Sequence, residues 1–79
     1  MHANTIKADI RRNNRMMETD RKLLSLEFVN NDQDFLKTIN TSIERKTKAN
    51  ELLAQALKLK NRIARYSFLK DNGFYAIYN

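Results

Sequence analysis

Three basic residues towards the C-terminal end of the chain have a spacing that suits contact with a polyanion. Lys58, Arg62 and Arg65 follow one another at intervals of i, i+4 and i+7, which places them on one side of a continuous α-helix. Each cation could then contact a phosphate or a carboxylate. The alternative interpretation is a solvated helix surface, where positive charge is favourable near a helix C-terminus.

The residue types that support catalysis or metal binding are sparse. His2 is the single histidine, the chain has no cysteine, and Asp32 and Asp34 occupy positions typical of a helix start. No glycine-rich loop is present to hold a phosphate group. We therefore expect a protein that is not an enzyme, with no metal, no cofactor and no small-molecule substrate.

An apolar C-terminal tail, residues 74–79, follows the single glycine, Gly73. Exposed apolar clusters tend to mark contact sites, so the tail should be ordered by contact, either against its own helices or in a partner. Its residue types also suit an extended strand. The candidate partner-binding residues are Phe74, Tyr75, Ile77 and Tyr78.

The composition indicates a helical protein. The chain of 79 residues contains no proline and one glycine, so almost nothing in it interrupts a helix. No apolar run approaches the roughly 20 residues that a membrane-spanning helix needs. The first residues also lack the apolar region of a secretory signal. From these features we expect a cytoplasmic protein without a membrane span.

Positive charge is concentrated in the second half of the chain. The net charge is +6, and the stretch from Leu52 to Lys70 contains five basic residues and no acidic one. Such a surface attracts nucleic acid, anionic lipid and acidic protein surfaces alike. Ten asparagines, eight lysines and six isoleucines all have AT-rich codons, which suggests a phage or another mobile element as the source.

Hydrophobic periodicity predicts a first helix over about residues 4–29, which Asn4 or Thr5 could cap. Polar residues such as Asn13 and Asn14 interrupt or flank its apolar stripe. A narrow seam with polar breaks is typical of a coiled-coil contact. The residues of this stripe are Ala3, Ile6, Ile10, Met17, Leu24 and Phe28.

The segment Asn30-Asn31-Asp32 should end the first helix and begin the second, with Asp32 as the N-cap. The second helix is predicted over about residues 33–69. Its apolar faces before and after Lys46 are rotated by about 100° from each other, so the polar stretch 44–48 either bends the helix or breaks it. The broad second face contains Ala49, Leu52, Leu53, Ala56, Leu57, Leu59, Ile63 and Ala64.

These elements predict an all-α domain spanning residues 1–79, an antiparallel hairpin of two long helices with a short aromatic tail. Two helices cannot enclose both apolar faces. We therefore expect association into a helical bundle, most simply as a homodimer.

The sequence leaves two functions open. The first is a small regulator or inhibitor that binds a protein partner through helix faces and the aromatic tail. The alternative is a nucleic-acid-binding protein without sequence specificity, which would use the basic face of helix 2.

Overall fold

Two long antiparallel helices dominate the computed structural model, which describes residues 1–77. Helix α1 spans Ala3–Leu24, α2 spans Glu27–Asn30, α3 spans Gln33–Leu57 and α4 spans Arg62–Asp71. A short 3-10 helix, Phe74–Ala76, follows α4. The all-α hairpin fold predicted from the sequence is confirmed, because α1 and α3 pack along each other. Tyr78 lies outside the described residues.

Helix α1 ends earlier than predicted. It stops at Leu24 and not near residue 29, and it begins at Ala3 without a side-chain cap. The hydroxyl of Ser25 donates to the Lys22 carbonyl oxygen at 2.6 Å, a local bond that competes with helix continuation. The amide of Asn30 then donates to the carbonyl oxygen of Leu24 at 3.0 Å. These bonds satisfy backbone groups at the end of α1 and fix the short helix α2 beside it.

The start of α3 agrees with the prediction, because the Asp32 carboxylate accepts a hydrogen bond from the Phe35 backbone N–H at 3.1 Å. The polar stretch around Lys46 does not break the helix, however. Lys46 is 8% exposed and pairs with Asp20 of α1. The half-buried carboxylate of Asp20 therefore compensates the charge of the buried Lys46 at this point of the hairpin.

The predicted second helix breaks further along, between Leu57 and Arg62. Asn61 is the N-cap of α4 and accepts from the backbone N–H of Ile63 at 2.7 Å and of Ala64 at 3.4 Å. This break lets α4 fold back against α3. The core then contains Ile6 of α1, Leu52, Leu53 and Ala56 of α3, and Leu69 of α4.

The fold-back changes which apolar residues are buried. Ile63, placed on the core face by its spacing from α3, is 75% exposed, because the turn before α4 resets the helical phase. Phe28, assigned to the apolar stripe of helix 1, is 65% exposed, because α1 ends before it. The broad apolar face of α3 is covered within one chain, so this face does not need a second copy of the chain to bury it.

Gly73 has the left-handed conformation expected of the residue that follows a helix end, with φ of 78°. Residues 74–77 of the tail after it do not form the predicted strand. Its 3-10 helix directs Phe74 and Ile77 towards the core, and burial of these side chains outweighs the extended preference of the residue types.

Candidate functional site

The three cations predicted to share a helix face lie on two different elements. Lys58 follows the end of α3, whereas Arg62 and Arg65 belong to α4. The guanidinium of Arg62 donates to Nε2 of His2 at 3.0 Å. The guanidinium of Arg65 donates from Nε to the Leu59 carbonyl oxygen at 2.8 Å and from a terminal nitrogen to the Met1 carbonyl oxygen at 3.2 Å.

Through these bonds the two arginines connect α4 to other parts of the chain. Arg65 connects α4 to the turn before it and to the start of α1, and the nitrogen of Met1 donates to the Arg62 carbonyl oxygen at 2.9 Å. The assumption of a single basic face on one helix is wrong because the helix ends at Leu57. Polyanion binding by Lys58, Arg62 and Arg65 stays a prediction.

The side chains of tail residues 74–77 are divided between the interior and the surface. Phe74 and Ile77 pack against the core, whereas Tyr75 is 44% exposed. The ring of Tyr75 lies edge-on to Phe74, with centroids 5.1 Å apart, and also contacts Tyr66 of α4 at a centroid distance of 5.6 Å. Tyr75 of the predicted tail is therefore exposed, and it contacts Tyr66, which was not among the residues predicted from the sequence.

Ile63, Tyr66 and Tyr75 form an exposed apolar surface that we call the α4 patch. Ile63 and Tyr66 are three residues apart, and so lie on neighbouring positions of α4. Tyr66 is 48% exposed, and the ring contact between the two tyrosines holds Tyr75 beside it. Asn61 is the residue from which this patch could have been predicted. A helix that begins after Asn61 buries a different face from a helix that continues α3, and this leaves Ile63 and Tyr66 exposed.

Partial desolvation raises the pKa of the Tyr75 hydroxyl above its ordinary value, and the neighbouring Tyr66 raises it further. Both effects disfavour the phenolate. Tyr75 is therefore neutral at physiological pH, which suits a ring that contributes apolar contact area and a hydroxyl.

A second exposed apolar group lies at the opposite end of the hairpin, near the α1–α3 connection. It comprises Leu26 at 40% exposure, Phe28 at 65% and Phe35 at 37%. The molecule is about 47 Å long, so a partner that covers the α4 patch need not contact these residues. They provide a comparison surface for tests of the α4 patch.

Two polar networks cross the α1–α3 interface. The Asn13 amide donates to the Asn50 side-chain oxygen at 2.9 Å, and the Asn50 amide donates to the Asn14 side-chain oxygen at 2.9 Å. Further along, the Ser42 hydroxyl donates to the Asp20 carboxylate at 2.9 Å. The Lys46 ammonium donates to Ser42 and lies 3.4 Å from the same carboxylate.

Beside the second network lies a groove of about 510 Å³, which we call the α1–α3 groove. Its lining combines hydroxyls, cations and one apolar side chain from α1. The lining residues are Met16, Lys37, Thr38, Thr41, Ser42, Arg45 and Lys46.

No family model matches the chain, and no curated protein or solved structure is significantly similar to it. Among residues 1–77, no cluster of three or more metal-ligating side chains occurs. In the same residues, no helix has the length and apolar character required to cross a membrane.

Proposed function

We propose that the protein is a small basic helical regulator that binds a protein partner through the α4 patch. The observation that carries the proposal is the exposure of three adjoining large side chains, Ile63, Tyr66 and Tyr75, after the chain has buried its core. Clustered exposed apolar residues mark interaction sites. Tyrosine is also among the residue types that contribute most to the binding energy of interfaces.

The α4 patch is preorganised, which would favour binding. Its two tyrosine rings contact each other, so part of the entropy lost on ordering side chains at an interface is already lost in the free protein. The arginine bonds to Leu59 and Met1 hold α4 in place. A partner would therefore meet a surface of fixed shape, on which the two rings and Ile63 serve as anchors.

Regulation or inhibition of that partner would follow from occupation of its surface. Such an effect needs complementary shape and apolar area and does not need a reactive side chain. The asparagine-, lysine- and isoleucine-rich composition supports a phage or mobile element as the source.

Affinity purification from the native host, followed by mass spectrometry, tests the proposal. The test variant is I63D/Y66A, which puts a charge and a truncation into the α4 patch. The matched control is F28D/F35A, with the same kinds of change at the other end of the molecule. A protein recovered with wild type and control but lost with I63D/Y66A is the expected result. Recovery that is equal for all three proteins would contradict the proposal.

Nucleic-acid binding without sequence specificity remains the alternative function, supported by the net charge of +6. The hydrogen bonds of Arg65 to Leu59 and Met1 make this cation less accessible than a solvated residue would be, whereas Arg62 is exposed. A salt series on heparin and on duplex DNA, with wild type and K58A/R62A, separates the two functions. Strong, salt-dependent retention that the double variant loses would favour the alternative.

A second copy of the chain is the other partner predicted from the sequence. The broad face of α3 is buried within one chain, so the apolar surfaces left for a homodimer are the α4 patch and the group formed by Leu26, Phe28 and Phe35. Sedimentation equilibrium at micromolar concentration distinguishes this case from a different protein partner. A dimer that I63D/Y66A dissociates would identify the second copy as the partner.

A further inference from the structure

The third helical layer of the molecule covers only part of α3. Helix α4 has 10 residues and α3 has 25, which correspond to about 15 Å and about 37 Å of helix. Leu69 of α4 packs with Leu52, Leu53 and Ala56, all in the C-terminal half of α3. Along the N-terminal half of α3, the α1–α3 groove lies open.

The groove continues the row of α3 positions that is buried further along the helix. A single row with alternating intervals of four and three residues lies on one side of a helix. In α3 this row changes from polar to apolar near its middle, and its apolar part is buried. The row consists of Thr38, Ser42, Arg45, Ala49, Leu52 and Ala56. The uncovered N-terminal half of this α3 row therefore has the geometry of a surface that packs against another helix, but its side chains are polar or positively charged.

Of the three cations that line the groove, only Lys46 forms an ion pair within residues 1–77. Asp20 neutralises Lys46, since the two side chains are 17% and 10% exposed and lie 3.4 Å apart. Lys37 and Arg45 are exposed and form no ion pair with any residue of the described part of the chain. They are eight residues apart on α3, which corresponds to about 12 Å along the helix axis.

We propose that the α1–α3 groove binds an acidic amphipathic helix of a partner protein. Two carboxylates seven or eight residues apart on that helix would match the separation of Lys37 and Arg45. An apolar side chain on the same face would pack against Met16, which is 46% exposed. An interhelical groove with cations at its border and an apolar wall is complementary to such a helix. Its lining contains no aromatic ring on which a nucleic-acid base would stack.

This proposal goes beyond the function proposed for the α4 patch, because it uses different residues and a different chemistry. The groove residues belong to α1 and α3, and none of them belongs to the α4 patch. Loss of one binding activity therefore leaves the other measurable. The I63D/Y66A variant should retain binding in the groove.

The test is a titration of the ¹⁵N-labelled protein with a synthetic amphipathic peptide, followed by NMR. The peptide is about 20 residues long, enough for a stable helix, and carries glutamates seven residues apart beside a leucine stripe. Its control has lysine in place of glutamate. The acidic peptide should shift the amide signals of Thr38, Thr41 and Arg45, whereas the lysine peptide should leave them in place.

Matched variants decide whether the groove itself is responsible. K37E/R45E should weaken binding of the acidic peptide about tenfold or more, because two favourable ion pairs become repulsive. R15E/K22E changes the net charge by the same amount on exposed residues of α1 outside the groove lining. This control should lose less than about threefold.

Three results would overturn the proposal. The first is equal loss in both variants, which would indicate general electrostatic attraction. The second is a set of shifted signals outside the groove, or no shifted signals. The third is a short single-stranded or duplex oligonucleotide that shifts the groove signals at lower concentration than the acidic peptide. Circular dichroism should show that both variants keep the helical content of the wild type, because every substituted side chain is exposed.

Discussion

Leu69 and Ile63 give the sharpest test of how α4 packs. Both lie on the same ten-residue helix, but Leu69 is fully buried and Ile63 is 75% exposed. We expect Leu69→Ala to destabilise the protein strongly and Ile63→Ala to leave its stability almost unchanged. A continuous helix through residues 58–61 would reverse this expectation, since the sequence pattern places Ile63 on the apolar face.

The size of the expected effect follows from burial. Replacing a fully buried leucine by alanine destabilises a protein by about 2–5 kcal/mol, depending on how far the cavity collapses. A chain of 79 residues has a total stability of about 4–12 kcal/mol. Leu69→Ala should therefore remove a large share of the stability. Ile63→Ala should change it by less than about 0.5 kcal/mol, because surface changes are small and alanine favours the helix.

Urea unfolding followed by circular dichroism measures both free energies. The slope of the unfolding free energy against urea should stay the same for the two variants, so that the shift in midpoint reports stability. The midpoint should fall clearly for Leu69→Ala only. If Ile63→Ala lowers the midpoint as much as Leu69→Ala does, the arrangement of α4 described above is wrong.

Three further predictions concern the polar interface and the tail. Asn50→Ala should cost about 1–3 kcal/mol of unfolding free energy, because it leaves the buried amide of Asn13 without its partner; urea unfolding measures this. Truncation after Gly73 should lower the melting temperature, since it removes two aromatic or aliphatic side chains from the core, whereas Tyr75→Ala should lower it much less. Because the pKa of Tyr75 is raised in the folded protein, the folded protein holds the phenolic proton more tightly than the unfolded chain does. The contribution of Tyr75 to stability is therefore complete below the pKa that it has in the unfolded chain, and it is lost as pH rises through the pKa that it has in the folded protein. Melting experiments at alkaline pH should show a smaller loss of stability for Tyr75→Phe than for the wild type.

The helical hairpin could be predicted because its signals are local and strong. Near-absence of glycine and proline, together with apolar residues at helical spacing, indicates long helices. Asp32 has the side chain that an N-cap requires, and Gly73 has the conformational freedom that a helix end requires. Each of these signals depends on a few adjacent residues, so tertiary contacts did not override them.

The break between α3 and α4 was harder to predict because no glycine or proline marks it. Asn61 caps α4, but an asparagine is also tolerated within a helix, and the apolar residues on both sides fit one continuous pattern. The decisive contribution is tertiary. Folding α4 back buries Leu69 and lets the tail residue Phe74 pack against the core, and Arg65 secures the turn through the Leu59 carbonyl oxygen.

The same break explains what could be predicted of the candidate site. Tyr75 was selected as a candidate partner-binding residue, but its neighbours Ile63 and Tyr66 could not be grouped with it while they were assigned to a longer helix. Conversely, the stretch around Lys46 was expected to bend or break helix 2. Its pairing with Asp20 depends on the register between two helices, which periodicity within one helix does not specify.

The most direct test of the proposed function is site-specific photo-crosslinking in the cells that produce the protein. A benzophenone side chain replaces Tyr66 at the centre of the α4 patch, or Phe28 at the opposite end of the molecule. The account predicts a discrete crosslinked species from position 66, containing a second protein, and little or none from position 28. Absence of any adduct at position 66, or an equal yield from position 28, would contradict it.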